Sequence, residues 1–151
     1  MLKVGQKVPA GSQGVLQDGS KVDLGAPEQA VILFFYPKAF TMICTKEACG
    51  FRDVHEQMVG KGARVLGISR DDAETLQRFK AELKLPYDLV ADVDGKLTAL
   101  FEVKQLGGLL SRPKRVTYLI DKTGVVRGVF HHELSANAHV KDAMEALQKL
   151  A

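Results

Sequence analysis

Three things are scarce in this sequence, and each scarcity narrows what the protein can be. Only two of its 151 residues are cysteines, Cys44 and Cys49. Two cysteines make a poor structural staple, and a chain of this length that is 46% apolar buries enough surface to form a core without one. Metal binding and redox chemistry remain open for the pair. Long apolar runs are also missing: none approaches the roughly 18 residues that cross a bilayer. The opening residues Met1-Leu2-Lys3-Val4-Gly5-Gln6-Lys7 lack the continuous apolar core of a signal peptide. A cytoplasmic protein with no membrane partner is expected. Finally, there is little charge imbalance, since 21 Lys and Arg against 18 Asp and Glu leave a net charge of +3. The cations are scattered along the chain, so no nucleic-acid partner is expected.

What is present reads as alternating strands and helices. Gly14 to Leu24 forms a small hairpin around the Asp18-Gly19 turn. Val31-Ile-Leu-Phe-Phe-Tyr36 is an unbroken apolar run stopped by Pro37, the pattern of a strand buried on both faces. Ala48, Phe51, His55 and Met58 then recur at helical spacing toward Gly60 and Gly62. Arg64 to Ser69 is a second buried strand. Asp71 to Leu83 is a second helix, with Leu76, Phe79 and Leu83 inward and Asp71 or Asp72 as its cap. Strand, helix and strand imply parallel pairing through a right-handed crossover.

A short strand at Leu89-Val90-Ala91, a short helix from Lys96 to Phe101 and a glycine-bearing loop from Gln105 to Lys114 follow. Val116 to Ile120 and Val125 to Phe130 form an antiparallel hairpin, and Val140, Ala143, Met144 and Leu147 mark a closing helix. No repeat, linker or low-complexity stretch divides residues 1–151, so one domain is expected. The layout predicts an α/β, thioredoxin-like fold, a central mixed β-sheet flanked by helices with an N-terminal β-hairpin.

The chemistry concentrates after the first buried strand, in Pro37-Lys-Ala-Phe-Thr41-Met-Ile-Cys44-Thr-Lys-Glu-Ala-Cys49-Gly-Phe-Arg-Asp53. This places Cys44 at a helix N-terminus, where free N–H groups and the positive end of the helix dipole favour thiolate over thiol. Simpler readings exist for each residue. A lone cysteine on an apolar face is usually a small buried hydrophobe. Thr41 suits an N-cap. Arg115 lies in a basic stretch with Arg112 and Lys114, and Arg52 pairs naturally with Asp53 or Glu56. His131-His132 would need a tighter cysteine spacing to suggest zinc. Asp92-Val-Asp94-Gly95 lacks the glutamate that closes a calcium loop, and Gly107-Gly108 lacks the residues of a phosphate loop. No cofactor and no metal are expected.

The arrangement Pro-x-x-x-Thr-x-x-Cys resembles the active-site motif of the peroxiredoxins (AhpC/TSA-like thiol peroxidases). The second cysteine five residues on resembles their bacterioferritin-comigratory, or peroxiredoxin Q, branch. Phe51-Arg52-Asp53, Gly67-Ile68-Ser69 and Arg115-Val-Thr-Tyr-Leu-Ile-Asp121 extend the likeness over nearly the whole chain. The resemblance implies a peroxidase acting on hydrogen peroxide and organic hydroperoxides and recycled by thioredoxin or a similar dithiol, as a monomer or weak homodimer. It implies that Cys44 is the peroxidatic cysteine and Cys49 the resolving one, joined in an intramolecular disulfide. It further implies that Thr41 binds cysteine or peroxide through its hydroxyl, that Pro37 walls the pocket, and that Arg115 holds the thiolate and the peroxide oxygens.

The chain departs from the branch at Met42-Ile43, where relatives often carry a proline followed by a smaller residue. Two bulky apolar side chains there bear on which peroxides enter. Helix geometry adds a constraint: a spacing of five on an unbroken helix separates two Cα atoms by a rise of about 7.5 Å and a turn of about 140°, beyond the reach of a disulfide. The helix start must therefore unwind for the disulfide to form. The competing class is a non-peroxidatic thiol-disulfide oxidoreductase or redox sensor, which would normally carry Cys-x-x-Cys. A pure interaction module leaves the coincidence of Pro37, Thr41, Cys44 and Arg115 unexplained.

Overall fold

The computed structural model describes residues 1–103, 105–106 and 112–150. Its centre is a five-stranded sheet built on the two apolar runs. Strand β3 (Ala30–Phe35) lies in the middle, parallel to β4 (Ala63–Ser69), which is parallel in turn to β5 (Asp88–Ala91). On its other side β3 runs antiparallel to β8 (Val116–Ile120), which pairs with β9 (Val126–His131). The strand order is thus β5-β4-β3-β8-β9.

Side-chain alternation along β3 splits the core into two layers. Ile32 and Phe34, with Tyr36 just beyond the strand, pack under the helices α1 (Met42–Gly60), α2 (Ala73–Leu83) and α4 (Ala136–Leu150). Val31, Leu33 and Phe35 face the opposite layer, where the N-terminal segment and α3 (Lys96–Leu100) supply Leu2, Val8, Leu97 and Phe101. Phe34 stacks on Phe51 of α1 with ring centroids 4.6 Å apart, which seats that helix on the central strand.

The N-terminal hairpin forms as expected from β1 (Gln13–Val15) and β2 (Lys21–Asp23). Gly19 has φ of +88°, a turn conformation that disfavours any side chain. Leu16 and Gln17 continue the hairpin onto the free edge of β5, through a bridge to Val90 and a bond from the Gln17 N–H to the Leu89 carbonyl. This capped edge is closed to further strand pairing.

One alternative is resolved and one expected loop differs. Asp72 alone caps α2, accepting from the Thr75 N–H at 2.8 Å. Asp71 instead ties two loops together, accepting from the Ala39 N–H at 2.8 Å and the Ser69 hydroxyl at 2.7 Å. At the predicted loop 105–114, the ends pair as β6 (Gln105–Leu106) with β7 (Arg112–Pro113), while Gly107-Gly108 lie outside the described residues. Two-residue strands carry no readable period, so this ladder was invisible in the pattern.

Candidate active site

Adjacent strands bring the two halves of the site together. Phe35 at the end of β3 pairs with Val116 at the start of β8, so the chain leaving β3 toward Cys44 lies beside the chain entering β8 from Arg115. Between Pro37 and α1 the backbone turns sharply at Phe40, whose φ of +65° is unusual for an aromatic residue. The turn is braced by the Asp71 bond to Ala39 and by the Phe40 ring, which packs edge-on against Phe79 at 5.1 Å. Pro37 is half-buried at the start of this turn.

Thr41 occupies the N-cap of α1, and its carbonyl accepts from the Thr45 N–H at 2.9 Å. Its hydroxyl makes no forward cap bond. It donates back to the Lys38 carbonyl at 2.8 Å, which fixes the turn and leaves the oxygen as an acceptor. Cys44 is therefore the third residue of the helix, among N–H groups that have no intrahelical partner. No acidic side chain lies in that first turn to offset the helix dipole.

Cys44 is 1% exposed, and Arg115, 7% exposed, donates from Nη1 to its Sγ at 3.0 Å. Arg115 is held in turn by its own backbone N–H, which donates to Glu133 Oε1 at 3.0 Å. A guanidinium keeps its charge at every physiological pH, and charge-assisted bonds of this kind favour the anionic form of their acceptor. The remaining cysteine, Cys49, is half-buried further along α1, and both thiols are free. Because α1 is continuous from Met42 to Gly60, the two sulfurs sit on one unbroken helix.

A second group of polar side chains lies buried against the first. Glu47, one turn beyond Cys44, is fully buried with Oε1 4.0 Å from Arg115 Nη1 and Oε2 3.5 Å from His139 Nε2. Among the described residues neither carboxylate oxygen has a hydrogen-bond partner. Burial pushes the Glu47 carboxyl up to about 8, against the pull of the nearby Arg115 charge. His139 of α4 bonds through Nε2 to the His132 carbonyl at 2.7 Å and through Nδ1 to the Thr117 hydroxyl at 2.8 Å. A carbonyl only accepts, so Nε2 carries the proton and the Thr117 hydroxyl donates to Nδ1. Burial holds this imidazole down at about 4, in its neutral form.

The sequence is recognised by the model of the AhpC/TSA family over residues 4–129. The chain belongs to that family. Peroxiredoxin Q of Suaeda salsa, a chloroplastic protein, is 40% identical over 89% of this chain, which spans only 63% of that relative's length. The bcp protein of Coxiella burnetii is 36% identical over 97% of this chain and 99% of its own. Among solved structures, the peroxidoxin BcpB of Mycobacterium tuberculosis superposes with a TM-score of 0.90 at 33% identity, covering 100% of this chain and 99% of that one. The thioredoxin-like architecture expected from the element order is thus the observed one.

Within this family member, Cys44 and Arg115 are in direct contact, while Thr41 and Pro37 lie on the turn leading into the same helix. Arg52 instead braces the outer face, binding Asp53 at 3.1 Å and the Leu83 carbonyl at 2.8 Å. His131 and His132 bond Glu133 and Asp142 at 2.9 and 2.6 Å, and Asp92 caps α3 through the N–H groups of Leu97 and Thr98. The sequence pattern marks none of Glu47, His139, Thr117 and Glu133 as site residues, and it offers Asp71 only as a helix cap. The readable signal was a charged or imidazole side chain on an inward face: Glu47 beside Ala48 and Phe51, and His139 in register with Ala143 and Leu147.

Proposed function

We propose that this protein is a thiol peroxidase in which Cys44 reduces hydrogen peroxide and organic hydroperoxides and Cys49 resolves the product. The observation that carries the reading is the Arg115 Nη1 contact with a buried Cys44 sulfur at 3.0 Å, at the open end of a helix. Helix terminus and guanidinium both favour a thiolate there, and a thiolate is the nucleophile that a peroxide oxygen requires.

The thiolate attacks the terminal peroxide oxygen, forming an S–O bond while the O–O bond breaks. Cys44 becomes a sulfenic acid, and the departing RO⁻ takes a proton and leaves as water or alcohol. Arg115 is placed to hold the oxygen on which negative charge grows. Thr41 offers an accepting oxygen for the peroxide O–H, and Pro37 excludes water from one side. The Cys49 thiol then displaces water from the sulfenic acid, and an external dithiol, thioredoxin or one like it, returns two electrons to the disulfide. A reducing compartment such as the cytoplasm suits this cycle.

The test is peroxide consumption by wild type, Cys44→Ser and Cys49→Ser, with dithiothreitol and with thioredoxin plus its reductase. Cys44→Ser is expected to turn over with neither reductant. Cys49→Ser is expected to lose most thioredoxin-supported turnover and still react once to a sulfenic acid. Persistent activity in Cys44→Ser would require a different nucleophile.

A further inference from the structure

The peroxidase reading leaves Glu47 without a task, although few positions in the molecule are harder to explain. It is a carboxyl with no exposure and no hydrogen bond among the described residues, on the inward face of α1 one turn from Cys44. Burying such a group unpaired is costly unless it is neutral or its charge is needed. Nη1 of Arg115 lies 4.0 Å from its Oε1, and it is the same nitrogen that donates to Cys44 Sγ at 3.0 Å. One guanidinium nitrogen in a dry pocket thus faces two groups that can each be an anion. Two anions sharing one cation repel strongly where water cannot screen them, so ionisation of one disfavours ionisation of the other.

We propose that Glu47 is the counter-group of Cys44 on Arg115: it is the neutral acid while Cys44 is the thiolate, and it ionises to take over the guanidinium when peroxide converts that sulfur to a neutral sulfenic acid. The inference rests on the peroxidase reading and adds a positioning residue to it. Charge and atoms balance without a further reactant. Thiolate, Glu47 acid and ROOH give sulfenic acid, Glu47 carboxylate and ROH, so the proton released by Glu47 balances the one that the departing RO⁻ takes. Arg115 keeps one anionic partner throughout. It therefore stays anchored when the sulfur no longer holds it and Cys44 must swing toward Cys49.

The surroundings favour the proton on Glu47 over its neighbours. His139, from α4, already donates Nε2–H to the His132 carbonyl and receives the Thr117 hydroxyl at Nδ1, and burial keeps it neutral. Glu133, from the turn between β9 and α4, accepts from the Arg115 N–H and from His131, and its negative charge further disfavours ionisation of Glu47. Tyr36, after β3, and Tyr87, before β5, also face the carboxyl, and burial holds both phenols well above their ordinary range, so they stay neutral.

Proton stoichiometry in a single turnover tests this. Reduced Cys49→Ser protein, which stops at the sulfenic acid, is mixed with one equivalent of hydrogen peroxide at neutral pH in weak buffer containing a pH indicator. Ultraviolet absorbance beforehand establishes the thiolate, and trapping afterwards establishes the sulfenic acid. Absence of either would sink the peroxidase reading itself. With both present, the expected result is little net proton uptake by Cys49→Ser and about one proton per sulfur oxidised by Cys49→Ser carrying Glu47→Gln, which has no proton to give. Equal uptake by the two proteins would overturn the inference. If Glu47→Gln does not fold, infrared difference spectra of Cys49→Ser alone decide. Oxidation is expected to remove a protonated-carboxyl band and add a carboxylate band, and an unchanged carboxyl region would contradict the proposal.

Discussion

Tyr87 donates its hydroxyl to the Ala48 carbonyl at 2.7 Å, joining the residue before β5 to the second turn of α1. The acceptor lies between Cys44 and Cys49, on the stretch of helix that must open before the two sulfurs can meet. Because the phenol is buried, its loss leaves no water-accessible substitute. Tyr87→Phe is expected to cost about 1 kcal/mol of stability in denaturant unfolding. It is also expected to speed disulfide closure after peroxide addition. A stability loss with slower closure would mean that the bond assists opening instead of resisting it.

Local opening of α1 implies a gradient of stability along the helix in the reduced protein. Its first turns hold the two cysteines and end in a cap without a side-chain bond, whereas Phe51 and Met58 anchor the later turns in the core. Hydrogen exchange is expected to be faster for the first two turns than for residues 51–58. Uniform protection would count against local unwinding as the route to the disulfide.

Phe51 carries that anchoring. It is fully buried and stacks on Phe34 of the central strand at 4.6 Å. Phe51→Ala is expected to cost about 3–5 kcal/mol, read by chemical denaturation, because the rings around it cannot collapse into the space. A loss below about 1 kcal/mol would show that α1 is seated by other contacts.

Stability should depend on pH through the buried Glu47 and His139. Glu47 keeps its proton in the folded state up to about 8, against an ordinary 4.5, so the folded chain binds more protons in that window and stability falls as pH rises toward 8. His139 has the opposite sign. It is held near 4 against an ordinary 6.5, so stability falls as pH drops from 6.5 toward 4. The two effects oppose each other where the windows overlap. Glu47→Gln is expected to flatten the decline between pH 6.5 and 8 and to steepen the loss below 6.5, measured by denaturant midpoints across pH. An unchanged profile would mean that Glu47 is ionised in the folded protein.

Much of this was legible before the structure because local and global signals agreed. The apolar run 31–36 and the stripe of Ala48, Phe51 and Met58 dictate a buried strand feeding a helix, and the motif from Pro37 to Cys44 falls at their junction. Arg115 was placed by its position ahead of a strand, and β-sheet register then brings it to Cys44. Glu47 and His139 were missed because periodicity scores an inward polar residue as noise, and only the tertiary contact between α1 and α4 gives it meaning. The direction of the Thr41 hydroxyl was equally out of reach. An N-cap threonine can donate backward or accept forward, and here the sharp turn at Phe40 brings the Lys38 carbonyl within its reach.

Attack of Cys44 on peroxide is the point on which the chemistry turns, and the rate of sulfenic acid formation in reduced Cys49→Ser, followed by trapping, measures it directly. One equivalent of hydrogen peroxide is expected to oxidise Cys44 rapidly, and Arg115→Met, whose side chain retains the bulk without the charge, is expected to slow that step by about 100-fold. No sulfenic acid at Cys44, or a rate that Arg115→Met leaves unchanged, would contradict the account.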